Sequence, residues 1–99
     1  MKVRSTYRAA ALVALAESRW EDGAVLEARS LFDQAISFAE HQGSKMMLAD
    51  AHYELGQRLP DMAEAREHLQ KALALYDACD AVPYVQAARR ALASVPIAD

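Results

Sequence analysis

Hydrophobic positions along the chain fall into five segments, and turn-forming residues separate these segments from one another. Nowhere between two turns do apolar and polar residues alternate with a period of two, so no strand is predicted. The strong helix formers Ala, Leu, Glu, Arg and Gln dominate the composition. The pattern therefore predicts five helices, over residues 6–20, 25–40, 45–58, 62–78 and 83–94.

Polar residues with N-cap character stand in front of three of these helices. Ser5 or Thr6 precedes the first helix, and Ser44 precedes the third. Asp61 precedes the fourth, and Glu64 three residues later completes a capping-box pattern. These residues predict where the three helices begin.

Glycine and proline predict the ends of the helices. Gly23 stands in the turn after the first helix, and Gly43 follows the second. Pro60 interrupts the chain after the third helix, Pro83 suits the first turn of the fifth, and Pro96 ends that helix.

The chain repeats itself with an offset of 37 residues. The second and fourth helices align without gaps: Glu27-Ala28-Arg29 with Glu64-Ala65-Arg66, Phe32 with Leu69, and Ala35 with Ala72. The same offset places Leu48, Ala51 and Leu55 over Val85, Ala88 and Leu92. The organisation is therefore two helix pairs followed by a single helix, which begins a third unit.

These positions resemble the tetratricopeptide repeat. The first unit matches at Leu12, Leu15-Ala16, Gly23, Ala28, Phe32 and Ala35; the second at Ala49 to Gly56, Ala65, Leu69 and Ala72. The resemblance covers about residues 9–92. It implies one all-α domain over residues 1–99, a right-handed α-α superhelix of two hairpins and a C-terminal capping helix. Repeat 1 would span 5–41, repeat 2 44–79 and the capping helix 82–94.

The spacing from Leu15 to Leu55 is 40 residues. This longer period resembles the repeat arrays attached to bacterial signalling ATPases, kinases and transcription regulators. The resemblance implies a non-enzymatic protein–protein interaction module that binds a peptide, a partner helix or itself. The alternative is a regulatory or sensory domain excised from such a larger protein.

In this family, one face of the first helix of each pair binds the partner. By position these residues are Val13, Glu17 and Trp20 in the first unit, and Asp50, Tyr53 and Gln57 in the second. Trp20 and Tyr53 would be aromatic anchors, or would instead pack between helices. These positions carry no cluster of Lys, Arg and Asn, so binding of a C-terminal carboxylate, known in the family, is not expected.

The first helix has no polar residue from Ala9 to Ala16. It is therefore predicted to be a buried helix, with self-association through Leu12, Val13 and Trp20 as one way to cover it. Alternatively, further repeats of a longer array cover this helix, or its alanines stay exposed at little cost because each presents only a small apolar area.

Net charge and cysteine content limit the kinds of partner and compartment that the sequence predicts. The formal net charge is −3, so nucleic-acid binding is not expected; it would require Arg4, Arg8, Arg89 and Arg90 on one face. Cys79 is the only cysteine, which excludes an internal disulfide and predicts a reducing compartment, most simply the cytoplasm. No apolar run approaches a membrane span.

No constellation of catalytic residues is evident. His52 lies on the apolar face of its helix and is predicted to be a core histidine. Glu64 and His68, one turn apart, could bind a metal, but no third ligand accompanies them. We therefore expect no enzymatic activity, no metal and no cofactor.

Overall fold

The computed structural model describes the backbone of residues 2–96 and the side chains of residues 8–96. Every regular element in this part of the chain is an α-helix, which confirms the predicted all-α class. The helices are α1 (Lys2–Glu21), α2 (Val25–Gln42), α3 (Lys45–Gly56), α4 (Met62–Ala78) and α5 (Val82–Ala93).

Two predicted N-caps and one predicted stop are confirmed. The Ser44 hydroxyl accepts a hydrogen bond from the Met47 N–H at 3.3 Å, and the Asp61 carboxylate accepts one from the Glu64 N–H at 3.0 Å. Gly43 ends α2 in the left-handed region, with φ of 71°. These signals act within a few residues, so the sequence alone defines them.

The predicted start of α1 is wrong. The helix begins at Lys2, so Ser5 and Thr6 lie inside it and do not cap it. No glycine or proline stands in this segment, and Ser and Thr have only moderately unfavourable helix propensity. Nothing therefore stops the helix from extending through them.

The third helix is shorter than predicted. It ends at Gly56 rather than at Arg58, with Gln57 as its C-cap. Pro60 has no N–H to continue the helix and disfavours the helical conformation in Leu59. The helix therefore ends before the proline rather than at it.

Consecutive helices pack against each other as two hairpins and a final helix. Helices α1 and α2 form the first hairpin, α3 and α4 the second, and α5 packs on α4. Contacts of α3 with both α1 and α2 join the hairpins. The radius of gyration is 13.1 Å, close to the ~13 Å of a compact domain of this length.

Residues at equivalent positions of the repeated units are equally buried. The pairs Ala28 and Ala65, Phe32 and Leu69, Ala35 and Ala72, and Ala51 and Ala88 are all almost inaccessible to solvent. The internal repeat of the sequence is therefore also a repeat of packing.

Two clusters form the core. The first joins the hairpins through Val13, Ala16, Phe32, Ala35, Ala51, Leu55, Leu59 and Ala65. The second joins the second hairpin to α5 through Ala49, Ala72, Tyr76, Val85 and Ala88.

Between residues 8 and 21, this chain buries one face of α1, and cover of the remaining faces by another molecule stays a prediction. The buried residues are Ala9, Val13 and Ala16, whereas Ala10, Ala11, Ala14 and Leu15 are exposed. Alanine presents little apolar area to water, which makes such exposure tolerable.

The predicted self-association surface needs a correction at Val13. Val13 is only 8% exposed and belongs to the first core cluster, so it is not available to a second copy. Leu12 and Trp20 are half-buried against that cluster. Between residues 8 and 21, the exposed apolar residues of α1 are Ala10, Ala11, Ala14 and Leu15.

Arginines at equivalent positions of the two units bind groups that lie 29 to 35 positions further along the chain. Arg29 of α2 forms an ion pair with Glu64 at the start of α4. Arg66, 37 residues later, donates to the carbonyl oxygens of Val95 at 3.3 Å and Pro96 at 2.5 Å. Each arginine therefore fixes the chain one repeat further on.

Gly56→Ala is expected to destabilise the fold by up to about 2 kcal/mol. A Cβ at Gly56 would lie 2.8 Å from Cγ of Leu69 and 3.2 Å from the carbonyl oxygen of Ala65. Such overpacking costs about 1–3 kcal/mol, and the better helix propensity of alanine offsets about 1 kcal/mol. Urea unfolding measures the difference.

The double variant Gly56→Ala with Leu69→Ala is the matched test of this close approach. In the Leu69→Ala background only the close approach to the Ala65 carbonyl oxygen remains, so adding Gly56→Ala should cost less than it does in the unmodified chain. An equal destabilisation in both backgrounds would contradict the steric explanation.

Asp80→Gly is expected to stabilise the fold by about 0.5–1 kcal/mol. Asp80 follows α4 with φ of 53°, in the left-handed region where a side chain is unfavourable and glycine is not. Ala74→Gly, at an exposed position inside α4, is the control and should cost about 1 kcal/mol. Thermal or urea unfolding would show opposite signs for the two variants; the same sign would contradict the prediction.

Candidate functional site

Three charged residues follow one another along a face of α3. Asp50 and Glu54 lie one turn apart on α3, and Arg58 follows four residues later in the turn just after the helix. Arg58 Nη1 donates to Glu54 Oε1, and Arg58 Nη2 donates to Glu17 Oε1 of α1, both at 2.9 Å. Arg58 therefore connects the first helices of the two hairpins.

Carboxylates outnumber guanidinium groups around this connection. Burial and the neighbouring Glu54 raise the pKa of Glu17, whereas Arg58 acts to lower it. Glu17, Glu54 and Arg58 together carry a net negative charge, and the arginine holds the two glutamates in place.

Aromatic rings surround the other end of this face. The Tyr76 hydroxyl donates to Asp50 Oδ1 at 2.5 Å. The Tyr76 ring packs edge-on against Tyr53, with centroids 6.2 Å apart, and stacks on Tyr84 at 5.2 Å with 25° between the planes. Tyr84, on α5, is 50% exposed.

Burial controls the protonation of the pair at this end. It raises the pKa of Asp50, which the Tyr76 hydrogen bond opposes and the charge of Glu54 reinforces. Burial and the same hydrogen bond to Asp50 raise the pKa of Tyr76, which therefore stays a hydrogen-bond donor.

Together these residues form one continuous surface, the acidic–aromatic strip. Its members are Glu17, Asp50, Tyr53, Glu54, Arg58 and Tyr84. The side chains are held by contacts between different helices, so the surface exists before any partner binds.

The structure brings together some of the residues predicted for a binding face. Glu17, Asp50 and Tyr53 belong to the acidic–aromatic strip, and Gln57 is exposed at the end of α3 one turn beyond Tyr53. Trp20 instead packs edge-on against Phe32, with ring centroids 6.4 Å apart.

Val13 does not belong to this surface. Its side chain lies in the first core cluster, so its assignment to a partner-binding face is corrected.

Sequence reasoning missed four residues that build the strip or support it. Glu54 and Arg58 could have been found, because they follow Asp50 at helical spacing. Tyr76 and Tyr84 carry no such signal, because their contact depends on how α4 and α5 pack.

A pair of histidines forms a second polar feature, between α3 and α4. His52 is 6% exposed, as its prediction as a core residue requires, and its Nδ1 lies 2.9 Å from Nδ1 of His68. One ring must therefore carry its proton on Nδ1 and the other must accept it. Burial first, then the charges of His68 and Lys71, lowers the pKa of His52 to about 4. Burial also lowers the pKa of His68.

Neither histidine is part of a metal site in the described residues. The carboxylate of Glu64 binds Arg29 rather than turning to His68. Between residues 8 and 96, no group of three or more His, Cys, Asp or Glu side chains is arranged to hold a metal ion.

The arginines that nucleic-acid binding would require are on different helices. The guanidinium of Arg8 lies 5.7 Å from the centroid of the Phe38 ring, between α1 and α2. Arg89 and Arg90 are exposed on α5, and the side chain of Arg4 lies outside the described residues. None of the helices within residues 2–96 has the length and apolar character needed to cross a membrane.

Comparison with known proteins adds no relative. No protein family, curated protein or solved structure matches this chain.

Proposed function

We propose that this chain is a non-enzymatic interaction module that binds a peptide or a partner helix along the acidic–aromatic strip. The observation that carries the proposal is the prior ordering of the strip by contacts between helices, above all Arg58 between Glu17 and Glu54. A surface that is already ordered loses less conformational entropy when a partner binds.

The composition of the strip supports this function. Tyrosine and arginine are the residue types enriched at the energetic centres of protein interfaces. Tyr84 offers a half-exposed ring. Tyr53 and Tyr84 both pack against the buried ring of Tyr76. The resemblance to the tetratricopeptide repeat points to the same helices, α1 and α3.

The titratable groups of the strip are bonded to one another rather than directed at an open cleft. Arg58 binds two glutamates, and Asp50 binds a tyrosine hydroxyl. An enzyme would need such groups to converge on a substrate position. We therefore propose binding without chemistry, in the cytoplasm that the lone Cys79 suggests.

A second candidate is a regulatory domain whose α1 is covered by a neighbouring domain or a second copy. Leu15 of α1 is 40% exposed, whereas Leu55, at the corresponding position of α3, is 1% exposed. The first hairpin covers Leu55, and nothing in the described residues covers Leu15 in the same way. This difference favours a further contact on α1, and light scattering across a dilution series would detect self-association.

Selection from a random dodecapeptide display library on the immobilised full-length chain tests the first candidate. We expect enriched peptides whose binding falls at least about tenfold when either end of the strip is blocked. The blocking variants are Gln57→Lys and Tyr84→Lys, both at exposed positions.

Gln70→Lys is the matched control for this selection. It introduces the same charge at an exposed position of α4, away from the strip, and should leave binding unchanged. If no peptide is enriched, or if all enriched peptides bind the blocked variants as well as the unmodified chain, the proposed function is wrong.

A further inference from the structure

Asp50 differs from the other carboxylates of the strip in having no basic partner. Glu17 and Glu54 share the guanidinium of Arg58. Within residues 8–96, no Lys, Arg or His forms an ion pair with Asp50, whose bonding partner is the Tyr76 hydroxyl. Oδ1 accepts that hydrogen bond, and the second carboxylate oxygen has capacity to accept more.

The charges around Asp50 increase this imbalance. Glu54, one turn away on α3, is the charged neighbour that acts on Asp50, and it has the same sign. The direction of the pKa shift of Asp50 agrees, because burial without a cation disfavours the ionised carboxyl group. A positive charge brought next to Asp50 would remove this cost.

The rings beside Asp50 suit the same kind of ligand. The ring of Tyr84 stacks on the ring of Tyr76, and half of the surface of Tyr84 remains exposed to solvent. Tyr53 is half-buried against the edge of Tyr76. The face of a tyrosine ring attracts an ammonium or guanidinium group within about 6 Å of its centroid.

We infer that this end of the strip selects peptides that carry a cationic side chain, with Asp50 as its counter-charge and Tyr84 as its aromatic contact. The inference rests on the proposed peptide-binding function. Arginine fits best, because its planar guanidinium group binds a carboxylate and stacks on an aromatic ring at the same time. Arg58 does not compete for this position, since Glu17 and Glu54 hold it at the other end.

Two small probes of equal shape separate charge from size. N-acetyl-arginine methylamide carries the guanidinium group, and N-acetyl-citrulline methylamide replaces it with a neutral urea. Each is titrated into the ¹⁵N-labelled full-length chain and followed by NMR. We expect arginine to shift the amides of Asp50, Tyr53 and Tyr84, with an affinity about tenfold higher than that of citrulline.

Asp50→Asn should abolish this preference. The amide keeps an oxygen that can accept the Tyr76 hydrogen bond, so the packing is preserved while the charge is removed. Asp33→Asn is the control, because Asp33 is an exposed aspartate on the outer surface of α2. That variant should retain the preference for arginine over citrulline. In the unmodified chain, this preference should become smaller as salt is added, because salt screens the attraction between the two charges.

Equal affinities for the two probes would overturn the inference, and so would an arginine preference that survives Asp50→Asn. Shifts confined to residues outside the strip would overturn it as well. In each case the peptide selection still decides the proposed function, because it requires only that peptides bind the strip, whatever their charge.

Discussion

Phe32→Ala is expected to destabilise the fold by about 3–5 kcal/mol, more than any other single substitution proposed for this chain. Phe32 is completely buried and belongs to the cluster that joins both hairpins. Its removal leaves a cavity between α1, α2 and α3 and takes away the ring against which Trp20 packs. A domain of this size has a total stability of about 5–15 kcal/mol, so at least about a fifth of it would be lost.

Urea unfolding followed by fluorescence measures this loss, because Trp20 is the only tryptophan and contacts Phe32 directly. Phe38→Ala is the matched control on the same helix. Phe38 is only half-buried, so its loss should cost at least about 2 kcal/mol less.

Phe32→Leu covers the case in which the alanine variant does not fold. It keeps most of the side-chain volume and should cost about 1–2 kcal/mol. Equal costs for Phe32→Ala and Phe38→Ala would show that Phe32 is not the centre of the packing.

Acidification is expected to remove up to about 3 kcal/mol of stability between about pH 6.5 and pH 4. In the folded chain the pKa of His52 is lowered from 6.5 to about 4, so below pH 6.5 the unfolded chain binds more protons. The contribution of His52 is therefore complete above pH 6.5 and is lost as the pH falls towards 4. The pKa of His68 is lowered too, which acts in the same direction.

The contact between the His52 and His68 rings explains why protonation of both histidines is unfavourable in the folded chain. When both rings are protonated, two N–H groups face each other across the 2.9 Å that separates the Nδ1 atoms. Lys71 adds to the unfavourable charge at both rings, and Glu67 opposes it.

Other charges near the pair change the size of the effect but not its sign. Glu64 favours and Arg29 disfavours the protonated form of His68, and Asp33 and Glu40 of α2 line the groove beside both rings. The raised pKa values of Glu17 and Asp50 act in the opposite direction, because the folded chain then binds protons more readily as the pH falls.

Urea unfolding at about pH 7 and about pH 4.5, with the variants His52→Leu and His41→Leu, tests the assignment. His52→Leu should reduce the loss of stability on acidification. His41→Leu removes an exposed histidine at the end of α2 and should leave it nearly unchanged. NMR titration of the imidazole protons should place the midpoint of His52 near pH 4. A midpoint near 6.5 would contradict the prediction.

The features that could be predicted from the sequence are those determined within a few residues. Ser44, Asp61 and Gly43 act on the turn next to them, so their roles follow from residue type and position. The same holds for α4, whose predicted and observed limits agree. The predicted start of α1 is wrong because a residue that can cap a helix does not start one where nothing breaks the helix before it.

Features that depend on two helices meeting could not be read from spacing. The position of Val13 in the repeat predicts a surface residue, yet its side chain lies in the first core cluster. The contact of Tyr76 with Tyr84 and that of His52 with His68 each join residues of different helices. Neither residue of such a pair carries a local signal that names its partner.

The two equivalent arginines, Arg29 and Arg66, form the same kind of connection between neighbouring units, called here the arginine joint. Arg29 binds a carboxylate at the start of the second helix of the next unit, and Arg66 binds main-chain oxygens just after α5, the first helix of the third unit. The arginine joint thus accepts either a charged or an uncharged acceptor. Duplication of residues 45–81 would give the first copy of Arg66 a carboxylate equivalent to Glu64, so the architecture lends itself to the engineering of longer arrays from one natural segment.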